Sequence, residues 1–153
     1  MDERKPKRSG RKFLFTVAAL ALAWAVLVTF RTGDPPTLEI DTGLPGIGKR
    51  TPVTVRFAEP KRGLTRVQIE FVQGDRSEVL AEAEHTPRPA WKFWGERVAS
   101  EEMTVEVGSE TVEGLKTGEA TIRAAAWPAA TWLRRPDPSV EERVLPVRLT
   151  PPA

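Results

Sequence analysis

Cysteine, tyrosine and asparagine are all absent from these 153 residues, and histidine occurs once, as His85. Without cysteine there is no disulfide and no thiolate metal site, so an exported domain built from this chain must rest on its hydrophobic core. Zinc asks for three or four ligands, usually several of them His or Cys. One histidine does not meet that need, so no metal and no cofactor is expected. His85 closes an alternating segment beside Glu84 and reads as a solvated residue. Ser9, Ser77, Ser100, Ser109 and Ser139 lie outside any G-x-S-x-G elbow. Gly46 and Gly48 follow a proline in a loop and do not open a helix, so they do not cradle phosphate. Glu78, Glu82 and Glu84 recur as a solvent face, not as the spaced carboxylates of a glycosidase cleft. The chain is expected to carry no catalytic site.

Charge is present but unevenly placed. Residues 1–12 hold Arg4, Lys5, Lys7, Arg8, Arg11 and Lys12 against Asp2 and Glu3, a net of +4 where the whole chain is +2. The rest is therefore mildly acidic, and the basic isoelectric point belongs to a tail. A nucleic-acid-binding domain would carry its Lys and Arg over one folded face, so nucleic acid is not expected as a partner.

Phe13 to Phe30, FLFTVAALALAWAVLVTF, contains no charge, glycine or proline. Its eighteen residues make about 27 Å of helix, close to the thickness of a bilayer's hydrocarbon. Thr16 and Thr29 can bond back to the helix backbone. Basic residues precede the segment and only Arg31 directly follows it. The positive-inside rule then puts the N-terminus in the cytoplasm and the remainder outside, as in a single-pass protein of a bacterial inner membrane. The rival reading is a signal peptide cleaved after Ala25 in Ala23-Trp24-Ala25. Val26 to Phe30 prolong the apolar run past that point, which favours an uncleaved anchor.

Beyond a polar linker at 31–36 (RTGDPP), the apolar period becomes two. Leu38 and Ile40; Val53, Val55 and Phe57; Val67, Ile69 and Phe71; Val79, Ala81 and Ala83; Met103, Val105 and Val107; Ala120, Ile122, Ala124 and Ala126; and Leu145, Val147 and Leu149 each form one face of a short segment. Such alternation marks half-buried strands. Pro45-Gly46-Ile47-Gly48, Pro60-Lys61-Arg62-Gly63, Gly74-Asp75-Arg76 and Thr117-Gly118 supply the turns between them. About seven strands over roughly 115 residues predict an all-β fold, an immunoglobulin-like or fibronectin-like β-sandwich. Ser109 to Leu115 reads as a helical turn capped by Ser109. The tyrosine of the usual corner is missing, and Ala120 stands near its place. The expected division is a tail at 1–12, a membrane helix at 13–30, a linker at 31–36, the exported domain at 37–150 and a junction or tail at 151–153.

Aromatic residues concentrate in two loops. Trp91, Phe93 and Trp94 lie in AWKFWGE, and Trp127 and Trp132 in AAWPAATWLRR. One reading has them plug the ends of the sandwich. The other has the two loops meet as an exposed patch, flanked by Arg134 and Arg135, that binds a glycan, a protein or the bilayer surface. The candidate contact residues are Trp91, Phe93, Trp94, Trp132, Arg134 and Arg135.

The order of basic tail, membrane helix, Pro35-Pro36-Thr37-Leu38-Glu39-Ile40, Gly46-Ile47-Gly48 and TPVTVRFAEPKRGLTRVQIEFVQG resembles a known arrangement. Gly114-Leu115-Lys116-Thr117-Gly118-Glu119-Ala120-Thr121-Ile122 and the closing Thr150-Pro151-Pro152 add to it. Together they resemble the N-terminal region of membrane-anchored peptidoglycan metallopeptidases of the lysostaphin/LytM type. The resemblance implies an anchor and an immunoglobulin-like domain ahead of a zinc endopeptidase. The family's zinc motifs have no counterpart here, so it implies envelope context without hydrolysis, and a chain that stops before the peptidase. The expected function is a non-catalytic, membrane-anchored envelope domain that spaces or orients a peptidoglycan hydrolase. The alternative is a stand-alone bitopic module that docks an envelope protein or peptidoglycan.

Overall fold

The computed structural model describes residues 8–30, 34–89, 91–92, 94–131 and 134–149. One helix precedes seven strands. The helix, α1, runs Arg8–Phe30, so it starts before the apolar segment and is about 34 Å long. The Thr16 hydroxyl donates to the Lys12 carbonyl at 3.0 Å and that of Thr29 to Ala25 at 2.7 Å, so both are satisfied within the helix. Phe13, Leu14, Phe15, Leu20, Leu22, Leu27 and Phe30 are all largely exposed, and Val28 alone of the apolar residues in the helix is buried. A helix apolar all round is stable in a membrane or a protein core, not in water. It is long and apolar enough to cross a bilayer.

The strands are β1 (Thr37–Asp41), β2 (Thr51–Ala58), β3 (Leu64–Gln73), β4 (Arg76–Glu84), β5 (Ser100–Val107), β6 (Gly118–Pro128) and β7 (Ser139–Val147). They form two antiparallel sheets, ordered β1-β2-β5 and β4-β3-β6-β7. The alternation read from sequence sets the inner faces. Val53, Val55 and Phe57 of one sheet share a core with Val67, Ile69, Phe71, Ile122, Ala124 and Ala126 of the other. The small side chains of β6 balance Phe57 and Phe71 in that volume. Each fully buried Val, Ile or Phe contributes about 1.5–3 kcal/mol. Ile47 crosses from the β1–β2 loop to bridge Val147 in parallel. Its N–H donates to Pro146 and its carbonyl accepts from Arg148, both at 2.8 Å.

Two local expectations need correction. On β4 Ala81 and Ala83 pack on the core as expected, but Val79 does not. The register shifts between Ile69 and Glu70, so Ala81 faces Ile69, Val79 faces Glu70, and Leu80 is the extra residue between them. A bulge of this kind changes which face later residues occupy. Leu80 therefore packs on the core and Val79 is half exposed. The segment 109–115 is a succession of turns, not a capped helical turn. The Gly108 carbonyl closes it by accepting from the N–H groups of Thr111 and Val112 at 3.1 and 2.9 Å. Gly108 has no alternative, because a Cβ there would collide with the Lys49 carbonyl.

On the outer faces, charged side chains pair across strands. Arg56 lies 2.7 Å from Glu102 and 3.9 Å from Glu39, and Arg123 lies 2.6 Å from Glu142 and 3.4 Å from Glu70. Hydrogen bonding to Glu102 and to Glu142 holds these guanidinium groups above their usual range. Arg66 pairs with Glu82 at 2.6 Å and stacks over the Trp127 ring, 4.8 Å from its centroid.

Candidate functional site

The register fixes where the loops lie. Thr37 pairs with Ala58, which pairs with Ser100, and Arg66 pairs with Glu84, Leu64 with Pro128 and Ala126 with Ser139. The loops 59–63, 85–99 and 129–138 therefore share the end at which the chain arrives from α1. Both aromatic loops belong to this end.

Glu59 organises it. Its side chain is buried, and the carboxylate accepts from the N–H groups of Lys61, Arg62 and Gly63 at 3.4, 2.5 and 2.7 Å. The carboxylate folded back onto its own turn satisfies N–H groups in a buried place. Gly63 takes a positive φ of 89°, and a side chain there would press on Arg97 and Val98. The turn at 60–63 is legible in the sequence, and the role of Glu59 is not. The signal was present only as an acid directly before Pro-x-x-Gly.

The two long loops are fastened to this turn. Glu59 donates to the Ala99 carbonyl and Leu64 to Val98, each at 2.8 Å. Arg97 donates through Nε to Pro60 at 2.8 Å, and the buried Arg88 reaches the carbonyls of Lys61 and Gly95 at 3.4 Å. From the other side Ala129 donates to Gly63 at 3.1 Å, and Arg62 donates to Ala130 at 2.9 Å. Thr131 and Arg134 close a local turn on each other. The Thr131 hydroxyl lies 3.5 Å from the Thr29 carbonyl, at the end of α1. Asp34 meets Lys61 at 2.8 Å, and that hydrogen bond holds the Asp34 carboxyl below its ordinary range.

Among the described aromatic residues of this end, Trp91 and Trp94 do not act as plugs. Trp91 is 48% exposed and Trp94 61%, and their rings meet edge to face at 6.1 Å. Trp127 lies on the outer face of its sheet beneath Arg66. Arg134 and Arg135 are exposed. Phe93 and Trp132 lie outside the described residues.

His85 also differs from expectation. It is half-buried, and Nε2 stands 2.5 Å from the Glu101 carboxylate. The pair ties the end of β4 to the start of β5, which belong to different sheets. It is a strut across the sandwich edge, reached from two positions that adjacency to Glu84 does not reveal. Among the described residues no three His, Asp or Glu side chains gather where a metal ion could sit.

No family model matches this chain, and no curated protein matches it. Among solved structures it is similar to a β-glucosidase from Listeria innocua in complex with glucose, with a TM-score of 0.38 and 11% identity. It is also similar to β-glucosidase 3B from Thermotoga neapolitana in complex with α-D-glucose, with a TM-score of 0.35 and 15% identity. The matches cover 75% and 72% of this chain but 17% of each enzyme. The likeness touches a small part of either glucosidase and carries nothing about activity or substrate.

Proposed function

We propose that this chain is a non-catalytic domain of a bacterial cell envelope, held by α1 in the inner membrane with its N-terminus in the cytoplasm, and that it spaces or orients a peptidoglycan hydrolase. The observation that carries the reading is the junction. A helix exposing apolar side chains all round is followed within six residues by a two-sheet β domain fastened to the emerging chain at Asp34 and Thr131. A rigid body on so short a tether is confined to a shell near the bilayer, which raises the effective concentration of whatever it holds.

The strand order supports an immunoglobulin-like or fibronectin-like arrangement. One sheet carries the first, second and fifth strands, and the other carries the third, sixth and seventh. The fourth strand sits beside the third. The resemblance to the anchored region of LytM-type metallopeptidases supplies the hydrolase. Full-length chain purified from detergent-solubilised membranes should bring a peptidoglycan hydrolase with it. Recovery of no hydrolase under those conditions would overturn this reading.

A second reading, a stand-alone interaction module, is favoured by β7. This edge strand exposes Val140 and Val144 at alternate positions. Apolar side chains on the stretch of this edge N-terminal to the Ile47 bridge suit strand addition by a partner. Capture of another envelope protein, lost on Val144→Lys, would select it.

A further inference from the structure

The two ends of the β domain differ in chemistry in a way the core does not require. The end facing α1 consists of loops 59–63, 85–99 and 129–138, and the far end of loops 42–50, 74–75 and 108–117. Among the described residues of these loops the aromatic ones, Trp91 and Trp94, both belong to the near end. Charge follows the same division. The near loops carry seven Lys and Arg against three acids, while the far loops carry three of each. Packing does not account for the aromatic asymmetry, since Trp91 and Trp94 expose about half or more of their surface, whereas Lys61, Arg62, Arg88 and Arg97 among the near-end cations serve the loop contacts described above.

Exposed tryptophan beside Lys and Arg is what the headgroup layer of a bilayer accommodates. The indole ring has an apolar body and a polar N–H, and it prefers the membrane–water boundary. Basic side chains are drawn to lipid phosphates there. The reach is sufficient. The seven steps from Phe30 to Thr37 extend at most about 25 Å, and the contacts of Asp34 with Lys61 and of Thr29 with Thr131 hold the near end close to the emerging chain.

We propose that the near end of the domain docks on the anionic headgroup layer of the bilayer that α1 crosses, with Trp91 and Trp94 seated among the headgroups and Lys92, Arg134 and Arg135 beside lipid phosphates. The proposal rests on α1 spanning that bilayer. It gives the anchored domain a fixed orientation, with the loops 42–50, 74–75 and 108–117 turned away from the membrane.

The absence of cysteine makes the test direct. Single nitroxide labels are placed at Ala18→Cys in α1, Glu96→Cys in the near loop and Asp75→Cys at the far end, each in the full chain. The chains are reconstituted in phosphatidylcholine vesicles with and without phosphatidylglycerol. Accessibility to a water-soluble nickel chelate and to oxygen reports depth. Docking predicts that the label at residue 18 lies in hydrocarbon and the label at 75 in water. The label at 96 should lie at headgroup depth, with several-fold lower nickel accessibility than the label at 75. Trp91→Ala with Trp94→Ala should return the label at 96 to water without changing the circular dichroism of the domain. Lys92→Gln, Arg134→Gln and Arg135→Gln together should remove the dependence on phosphatidylglycerol. If the label at 96 is as accessible as that at 75 while residue 18 is in hydrocarbon, docking is wrong and the anchor stands. If residue 18 is in water, the anchor itself is wrong. If the tryptophan pair can be removed without moving the label at 96, the assigned contact is wrong.

Discussion

Single side chains decide how the near end holds its shape. Glu59 satisfies three N–H groups of one turn, and both long loops hang from that turn. Glu59→Ala leaves those donors without their acceptor in a buried place, which should cost about 2–3 kcal/mol in urea unfolding of the detergent-solubilised chain. Glu59→Gln retains an acceptor and should cost less. Gly108→Ala should destabilise by about 1–3 kcal/mol, because a methyl group there forces the Lys49 backbone to move. Asp34 offers a pH test with a definite sign. Its carboxyl is held below the ordinary value by Lys61, so the tie is complete above that value and is lost as pH falls through the lowered one. Lys61→Gln should return the Asp34 titration, followed by carboxyl NMR, to the ordinary carboxylate range. The side chains are exposed, so overall stability should scarcely change.

Among the elements, the strands followed from periodicity and their phase did not always. The positions read as inward on β2, β3 and β6 are buried, because the alternation is unbroken across those positions; the irregularity of β3 against β6 lies before them, between Leu64 and Arg66. On β4 an extra residue sits opposite Ile69 and Glu70 and exchanges the faces of Val79 and Leu80. A bulge is set by pairing with β3, and a strand viewed alone does not carry that information. The exchange predicts unequal mutants. Leu80→Ala should cost about 1–2 kcal/mol, and Val79→Ala should stay within about 0.5 kcal/mol, in the same urea titrations. Phe71→Ala, in the fully buried centre of β3, should cost about 3–5 kcal/mol.

For the whole molecule the decisive relation is that of anchor to domain. The helix extends five residues N-terminal to the apolar run, through Gly10 and the basic residues around it. Those charges sit where one membrane face would meet the helix, and Val26 to Phe30 carry the apolar run past Ala25, which is the feature that favours an anchor that is kept. The chain recovered from membranes should therefore retain residues 1–25 when its mass is measured, and alkaline carbonate should not extract it. A soluble chain beginning at Val26 would reverse that expectation. Glu101→Gln or His85→Ala should weaken the edge between the two sheets without altering membrane attachment, because their contact lies wholly within the β domain.

The amino-acid sequence alone determined the apolar helix, the strand periodicity and the clustering of tryptophan in two loops, because each depends on neighbours a few residues apart. Tertiary structure decided matters of distance between remote positions. It brought Glu101 to His85 and threaded Ile47 onto β7. It turned Trp91 and Trp94 outward and gathered their loop with 129–138 around the Glu59 turn. Antiparallel pairing alternates the ends at which loops emerge, so residues with no sequence relation collect at one end of the sandwich. The end that carries Trp91 and Trp94 is the one at which the chain leaves the helix.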